Sequence, residues 1–445
     1  MSADEAPMRS AVLPYGTRPL ALPARIAGLP RLEAPERHDV PAGAAALRNA
    51  ARKAVARLAP APTRNPRLAV VVPDRTRPLP LDGVLAALGD AISRHWPEAP
   101  APVVVPASGI HRPMTSREIE ELIGRDAARR FRIAPHDADR PALLIGTTRS
   151  GIPVALHPAV AKADGVLLVG RIVFHYLAGF GGGRKLLAPG VAARATALAV
   201  HRRCLASPPA CGRHPNACAG RLEGNPVHDA ACEAARLVPN AAALHVVTGT
   251  RGAVIRIEAG DPVSDHAAIC RDYAAAHRVR LDDPLDAVLV SAGGHPSDRD
   301  LVQAHKALDA IASVVRPGGL VLLAARCRDG IGNPEVARAL AVPSTVQLLD
   351  ALYRKFTIGG HTALALKEKC ARFDVRMLTE LDDASLAACG ARRLGSLDEA
   401  AILLDAVARA GGRVAWAPRG ASLLYELVSP AGVAPSPGGS VAPGR

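Results

Sequence analysis

The chain has 445 residues and a formal charge of +14, from 55 Lys+Arg against 41 Asp+Glu. That length exceeds one ordinary core and points to two or three domains. Aromatics are only 3% and the arginines are scattered, so the stacking platforms and basic stripes of nucleic-acid binders are missing and the charge suits a small anion instead.

No apolar run reaches the length of a membrane span, and the start, Met1-Ser-Ala-Asp-Glu-Ala-Pro7, lacks a basic region followed by an apolar stretch. Eight cysteines spread over so long a chain fit reduced thiols in a cytoplasmic protein.

Residues 1–65 are rich in Pro and Ala, with a helix expected over 43–58. The first clear strand, 67–72, runs into Asp74-Arg-Thr-Arg-Pro78, and an amphipathic helix follows over 81–96. A second strand, 101–106, ends at Ser108-Gly-Ile-His-Arg-Pro113, and Thr115 or Ser116 caps the next helix, with Glu118 placed to suit its positive end. A third strand is expected over 141–145, with an extension at 152–156. The apolar run from Gly165 to Phe174 then leads into His175-Tyr-Leu-Ala-Gly-Phe-Gly-Gly-Gly-Arg-Lys185.

Five glycines between Gly179 and Gly190 allow positive φ and close approach to a ligand, and amides in such a loop can hold an anion. Two familiar loops are excluded by spelling. A Walker loop needs Gly-Lys-Ser/Thr, and Leu186 follows Lys185; a dinucleotide fingerprint from Gly179 needs Gly or Ala where Arg184 stands. Taken alone, the segment also fits a plain Gly-rich turn with a solvated lysine.

A helix over 193–205 carries His201. The loop 206–226 holds Cys211, His214 and Cys218, which with Cys204 just before it offer a thiolate and imidazole set that structural zinc could use, although their spacing is not a compact pair. Another helix, two strands and a helix to His277 precede the break Asp282-Asp-Pro284. A second series of strands and helices begins at Ala287, passes Gly293-Gly-His-Pro-Ser-Asp298, and enters a helix with Gln303 and Lys306. Strands alternate with helices throughout, so the expected fold is α/β: two α/β domains with largely parallel sheets and the active site in the cleft between them. The expected boundaries are 1–275, 276–430 and a disordered tail over 431–445.

Asp74, Arg77, His111, His175 and Lys185 all follow expected strands, the edge where such sheets bind ligands. Together with Gly109-Ile-His-Arg-Pro-Met-Thr115, Gly224-Asn-Pro226, Gln303 and Lys306, they resemble the lactate racemase family that uses a nickel-pincer nucleotide. The resemblance runs from about Leu13 to Val428. It implies a covalent cofactor on Lys185, with Asp74, Thr76, Gly181, Gly182 and Gly183 along it and His201 as the protein's nickel ligand. It also implies that His111 and His175 exchange the hydroxyl proton of a 2-hydroxy acid while its C2 hydride moves, with Arg77, Gln303 and Lys306 on the substrate. Cofactor-maturation enzymes would be its partners.

Two departures bear on substrate. Family members often have Ser where Gly181 stands, and the tryptophan of the lactate enzymes has no counterpart in Phe356-Thr-Ile-Gly-Gly-His361. A bulkier or more polar hydroxy acid fits as well as lactate. A non-catalytic binder or sensor of small anions on the same scaffold is the alternative reading.

Overall fold

The structure is a computed structural model that describes residues 11–35, 39–58, 64–207, 211–249 and 252–428. The expected tail therefore lies outside the described residues. Two compact units emerge, 36–275 and a discontinuous one made of 1–35 with 276–445. Residues up to Pro35 thus group with the C-terminal half rather than with the first domain expected over 1–275.

In the unit 36–275 the main elements are α1 (Ala44–Arg57), β1 (Leu68–Pro73), α2 (Asp82–His95), β2 (Val103–Ala107), α3 (Ser116–Ile123), α4 (Arg125–Arg130), β3 (Arg132–Ile133) and β4 (Gly165–Arg171). They continue with α5 (Arg194–Arg202), α6 (Pro226–Arg236), β5 (Ala241–Thr248), β6 (Val254–Gly260) and α7 (Ser264–Ala276). The sheet runs β6-β5-β4-β1-β2-β3 and is parallel except at the edge pair β5–β6.

Strands β1, β2 and β4 are valine- and leucine-rich and almost wholly buried, as strands covered on both faces must be. One face packs Val70, Val72, Leu167 and Val169 against α1 and α2 through Ala51, Ala54, Leu85 and Leu88. Small alanines on α1 let that helix lie close to α2. The expected cap of α3 forms in full: Thr115 Oγ1 accepts from the Glu118 amide while Glu118 reaches back to the Thr115 amide. The segments expected as a third strand and its extension instead pair with each other as a separate antiparallel hairpin, Leu143–Thr147 with Pro153–Leu156.

The chain leaves β1 toward β2 and β3 on one side, then returns to place β4 on β1's other side. The crevice between the C-terminal ends of β1 and β4 is therefore a topological switch point, where open α/β sheets bind ligands.

The second unit carries a parallel five-stranded sheet built from β7 (Leu285–Ser291), β8 (Val315–Ala324), β9 (Asp374–Leu378), β10 (Arg392–Arg393) and β11 (Val414–Ala417), ordered β10-β9-β8-β7-β11. Arg316-Pro-Gly-Gly319 falls inside β8, where pairing with β7 slips between Leu285 and Ala287. Helix α8 (Leu301–Ile311) follows β7, and α9 (Ile358–Arg372) precedes β9. The strap from residue 11 to 35 completes this unit: Leu13 and Ile26 are fully buried in its core beside Trp416, the Leu32 amide donates to the Trp416 carbonyl, and the Trp416 amide donates to the Pro30 carbonyl.

Candidate active site

Three loops at the switch point carry the chemistry. After β1, Asp74 turns inward and is almost completely buried. Its Oδ1 accepts from the Thr76 hydroxyl at 2.6 Å and from Arg77 Nη1 at 3.5 Å, and its Oδ2 lies 2.7 Å from His111 Nδ1. Burial alone would raise the Asp74 pKa; the His111 hydrogen bond and the Arg77 charge outweigh it and bring it down to about 2. The carboxylate is thus ionised and Nδ1 of His111 carries a proton, so that in the neutral ring Nε2 is the nitrogen with the lone pair. His111 itself is exposed on the loop after β2, with its amide bonded to the Ser108 carbonyl.

After β4, His175 lies in a short hairpin in which Phe174–His175 pairs with Gly179–Phe180. Its Nδ1 accepts from the amides of both Leu177 and Ala178, each at 3.2 Å. The glycine run continues from there. Gly182 and Gly183 have φ of +77° and +51°, and a Cβ on them would meet the Arg171 carbonyl at 2.9 Å and the Pro262 carbonyl at 2.5 Å. The glycines are thus required by the loop's own packing against β4 and the start of α7, more than by room for a ligand. The amides of Gly182 and Gly183 have no acceptor from the protein among the described residues.

A single 3₁₀ turn, Gly183–Leu186, then presents Lys185. Its side chain is buried and its amine makes no hydrogen bond or ion pair among the described residues. Burial first, then the charges of Arg77 and Arg184, push its pKa well below the ordinary lysine value, a shift toward the nucleophilic free amine. His201, on α5, is 9% exposed, and its Nδ1 donates to the Ala197 carbonyl at 2.9 Å. Burial, then the nearby Lys185 charge, lowers its pKa to about 3. A neutral imidazole with Nδ1–H engaged offers Nε2 as a metal donor.

The sequence reading used Arg184 only to exclude motifs and missed what it does. Its guanidinium is fully buried with no carboxylate in contact among the described residues. Nε donates to His228 Nδ1 at 3.0 Å, Nη2 to the Ala178 carbonyl at 2.9 Å, and Nη1 lies 2.8 Å from His266 Nε2. His228 and His266 each stand one helical turn before a cysteine, Cys232 on α6 and Cys270 on α7. That repeated His-x-x-x-Cys spacing was the one signal in the sequence. The bond to Ala178 links the Lys185 turn to the backbone that holds His175.

The structure brings Asp74, Thr76, Arg77 and His111 into one hydrogen-bonded group, and sets Lys185 within electrostatic reach of Arg77 and His201. Gln303 and Lys306 lie on α8 of the other unit, where Lys306 Nζ donates to Gln303 Oε1 at 2.5 Å. Cys204, Cys211, His214 and Cys218 do not converge: no three His, Cys, Asp or Glu side chains among the described residues are placed to hold a metal. Cys204 is buried while Cys211 is exposed.

Two family models match in succession, the lactate racemase N-terminal domain over residues 24–211 and the lactate racemase C-terminal domain over residues 282–359. The chain belongs to the lactate racemase family. It is 31% identical over 271 residues to the lactate racemase of Thermoanaerobacterium thermosaccharolyticum, covering 60% of this chain and 61% of that protein. It is 30% identical over 286 residues to the lactate racemase of Lactiplantibacillus plantarum, covering 64% of this chain and 66% of that one. The matched stretches thus span less than two thirds of these racemases' own lengths.

The fold carries further than the sequence. The lactate racemase apoprotein from T. thermosaccharolyticum superimposes with a TM-score of 0.80 at 24% identity, covering 93% of this chain and 99% of that one. A Thermotoga maritima protein superimposes with a TM-score of 0.64 at 18% identity, covering 88% and 100%.

The residues present fit the nickel-pincer nucleotide that the resemblance implies. That group brings most of its nickel ligands with it, and the site offers one neutral imidazole, His201, instead of a protein-built ligand cluster. The Lys185 amine, with its lowered pKa, suits covalent attachment, and the free amides of Gly182 and Gly183 suit a phosphate. No helix among the described residues is long and apolar enough to cross a membrane.

Proposed function

We propose that the chain is a racemase or epimerase of a 2-hydroxy acid, an isomerase of lactate-like substrates. The observation that carries this reading is the Asp74–His111 pair, an imidazole whose Nδ1–H is pinned by a buried carboxylate and whose Nε2 is ready to take a proton. That is the form a general base needs near neutral pH.

Lys185 would hold the cofactor through a thioamide, Gly181, Gly182 and Gly183 would lie along its phosphate end with Asp74 and Thr76 nearby, and His201 would be the protein's ligand to nickel. When bound, that group supplies the acceptor for the substrate's C2 hydride. The chain's own residues do the rest. Arg77 and Lys306 are assigned to the substrate carboxylate, Arg being suited to two parallel hydrogen bonds, and Gln303 to the substrate. His111 takes the hydroxyl proton as C2 becomes flat and returns it once hydride comes back to either face, so the stereocentre is scrambled. His175 attends the same oxygen.

The test is production of the full chain beside the cofactor-making proteins, followed by intact mass and a chiral assay over a series of 2-hydroxy acids. Wild type should gain the cofactor mass and racemise at least one acid, and Lys185→Ala should gain none. His111→Ala should stay loaded and lose turnover. A loaded wild type that is stabilised by small anions yet turns over nothing would instead make the chain a binder.

A further inference from the structure

Arg171 is the last residue of β4, so its side chain starts at the C-terminal edge of the sheet, next to β1. From there Nη1 donates to the Pro78 carbonyl at 3.4 Å, in the loop that also carries Asp74 and Arg77. The guanidinium thus reaches across the crevice between the ends of β1 and β4, the switch point at which open α/β sheets bind ligands.

Its charge is unanswered there. Arg171 is part-buried, its Nε is buried without a hydrogen-bond partner, and it makes no ion pair among the described residues. The long bond to Pro78 is a poor match for a group with five N–H donors. The acidic group that bears on it is the Tyr273 phenol, which burial raises to about 12 and so leaves uncharged at neutral pH. Burial pulls the Arg171 pKa down, yet a guanidinium keeps its proton.

The neighbouring arginines are served differently. Arg77 shares the Asp74 carboxylate, and Arg184 has His228, His266 and two carbonyls. A cation held partly out of water without such partners costs stability, and at a ligand crevice an arriving anion offsets that cost. The backbone adds a second cue. A Cβ on Gly182 would meet the Arg171 carbonyl at 2.9 Å, so the loop bearing the acceptor-free amides of Gly182 and Gly183 packs on Arg171 itself.

We infer that Arg171 is an oxyanion-binding residue of the switch-point crevice, taking a phosphate or carboxylate group on its forked N–H donors. Two sources present that chemistry. One is the phosphate end of the cofactor; the other is a second acid group on the substrate, beyond the carboxylate assigned to Arg77. The latter would make the substrate a 2-hydroxy diacid. Naming these sources rests on the racemase reading, whereas the anion site does not.

The test is calorimetric titration of the full-chain apoprotein with inorganic phosphate, with a pyridine mononucleotide, and with malate, a 2-hydroxy acid bearing a second carboxylate. Arg171→Met keeps the length of the side chain and removes its charge. Arg67→Met removes the same charge just before β1, at the opposite end of the sheet. Wild type and Arg67→Met should bind alike, and Arg171→Met should bind at least one probe about tenfold more weakly. A loss confined to phosphate and the nucleotide assigns Arg171 to the cofactor; a loss confined to malate assigns it to the substrate. Without anion, Arg171→Met should melt a few degrees above wild type, because an unanswered charge is gone.

Equal affinities in wild type and Arg171→Met, equal losses in both variants, or a wild type that binds none of the probes overturns the anion site. So does an Arg171→Met protein that melts below wild type. These readouts need neither loaded cofactor nor turnover. A loaded wild type inert toward every 2-hydroxy acid would sink the racemase reading and leave the anion site standing.

Discussion

Asp74 gathers Thr76, Arg77 and His111 onto two carboxylate oxygens, so one buried acid sets the direction of a base and of a cation. Replacing it by Asn keeps the shape and turns an N–H toward His111 Nδ1, which forces the imidazole into the other tautomer. Asp74→Asn should therefore lower turnover per loaded molecule, with loading read by intact mass, about a thousandfold. The acid also contributes to stability. Its folded pKa of about 2 lies below the ordinary 3.8, so its contribution is full above about pH 4 and is lost as pH falls toward 2. Denaturation of wild type and Asp74→Asn across that window should converge at the acid end.

The next scale is the loop. Among the described residues, Arg184 is a buried cation answered only by neutral groups: His228, His266 and two carbonyls. Burial followed by its positive charge pulls His228 down to about 3, so neither histidine repays it with a negative charge. Such a charge costs more than a hydrophobic replacement of similar length, and a compact ammonium cannot match the forked pattern. Arg184→Lys should then be less stable than Arg184→Met, by about 2 kcal/mol or more in denaturant melts, a reversal of the usual conservative order. Both should load cofactor poorly, because the Lys185 turn loses its anchor.

Motif positions were legible in the sequence because Asp74, His111 and Lys185 each follow an unmistakable valine- or leucine-rich strand. The Arg184 hub was not, since its partners stand 44 and 82 residues away. The separate hairpin of Leu143–Thr147 was misplaced for a related reason. Its apolar residues Leu143 and Leu144 look like buried strand and are exposed.

For the whole molecule, buried histidines dominate the response to acid. Burial lowers His136 and His245 to about 4 and His201, His228 and His305 to about 3, and pushes His266 well below its ordinary 6.5. Each is neutral when folded and takes a proton when unfolded, so stability is full above about pH 6.5 and falls as pH drops through that value. Each group removes up to about 1.4 kcal/mol per pH unit in that range. The melting temperature should fall steeply between pH 6.5 and 5; a flat profile there would contradict the buried neutral state.

The strap from residue 11 to 35 escaped sequence reading because its two-residue strands and one-turn helix carry no period. Leu13 and Ile26 each bury a side chain worth about 2 kcal/mol in the second unit. Residues 276–428 made alone should therefore be poorly soluble, and a strap peptide supplied in trans should recover a cooperative melt.

That arrangement imposes an order on synthesis. Residues 11–35 leave the ribosome well before their seat beside Trp416, which is made only after the whole 36–275 unit. The inserted unit can fold in the meantime, since domains generally fold as units during synthesis. The strap thus settles later than the unit that follows it, and a product that stops short of Trp416 would leave Leu13 and Ile26 uncovered for chaperones or proteases to find.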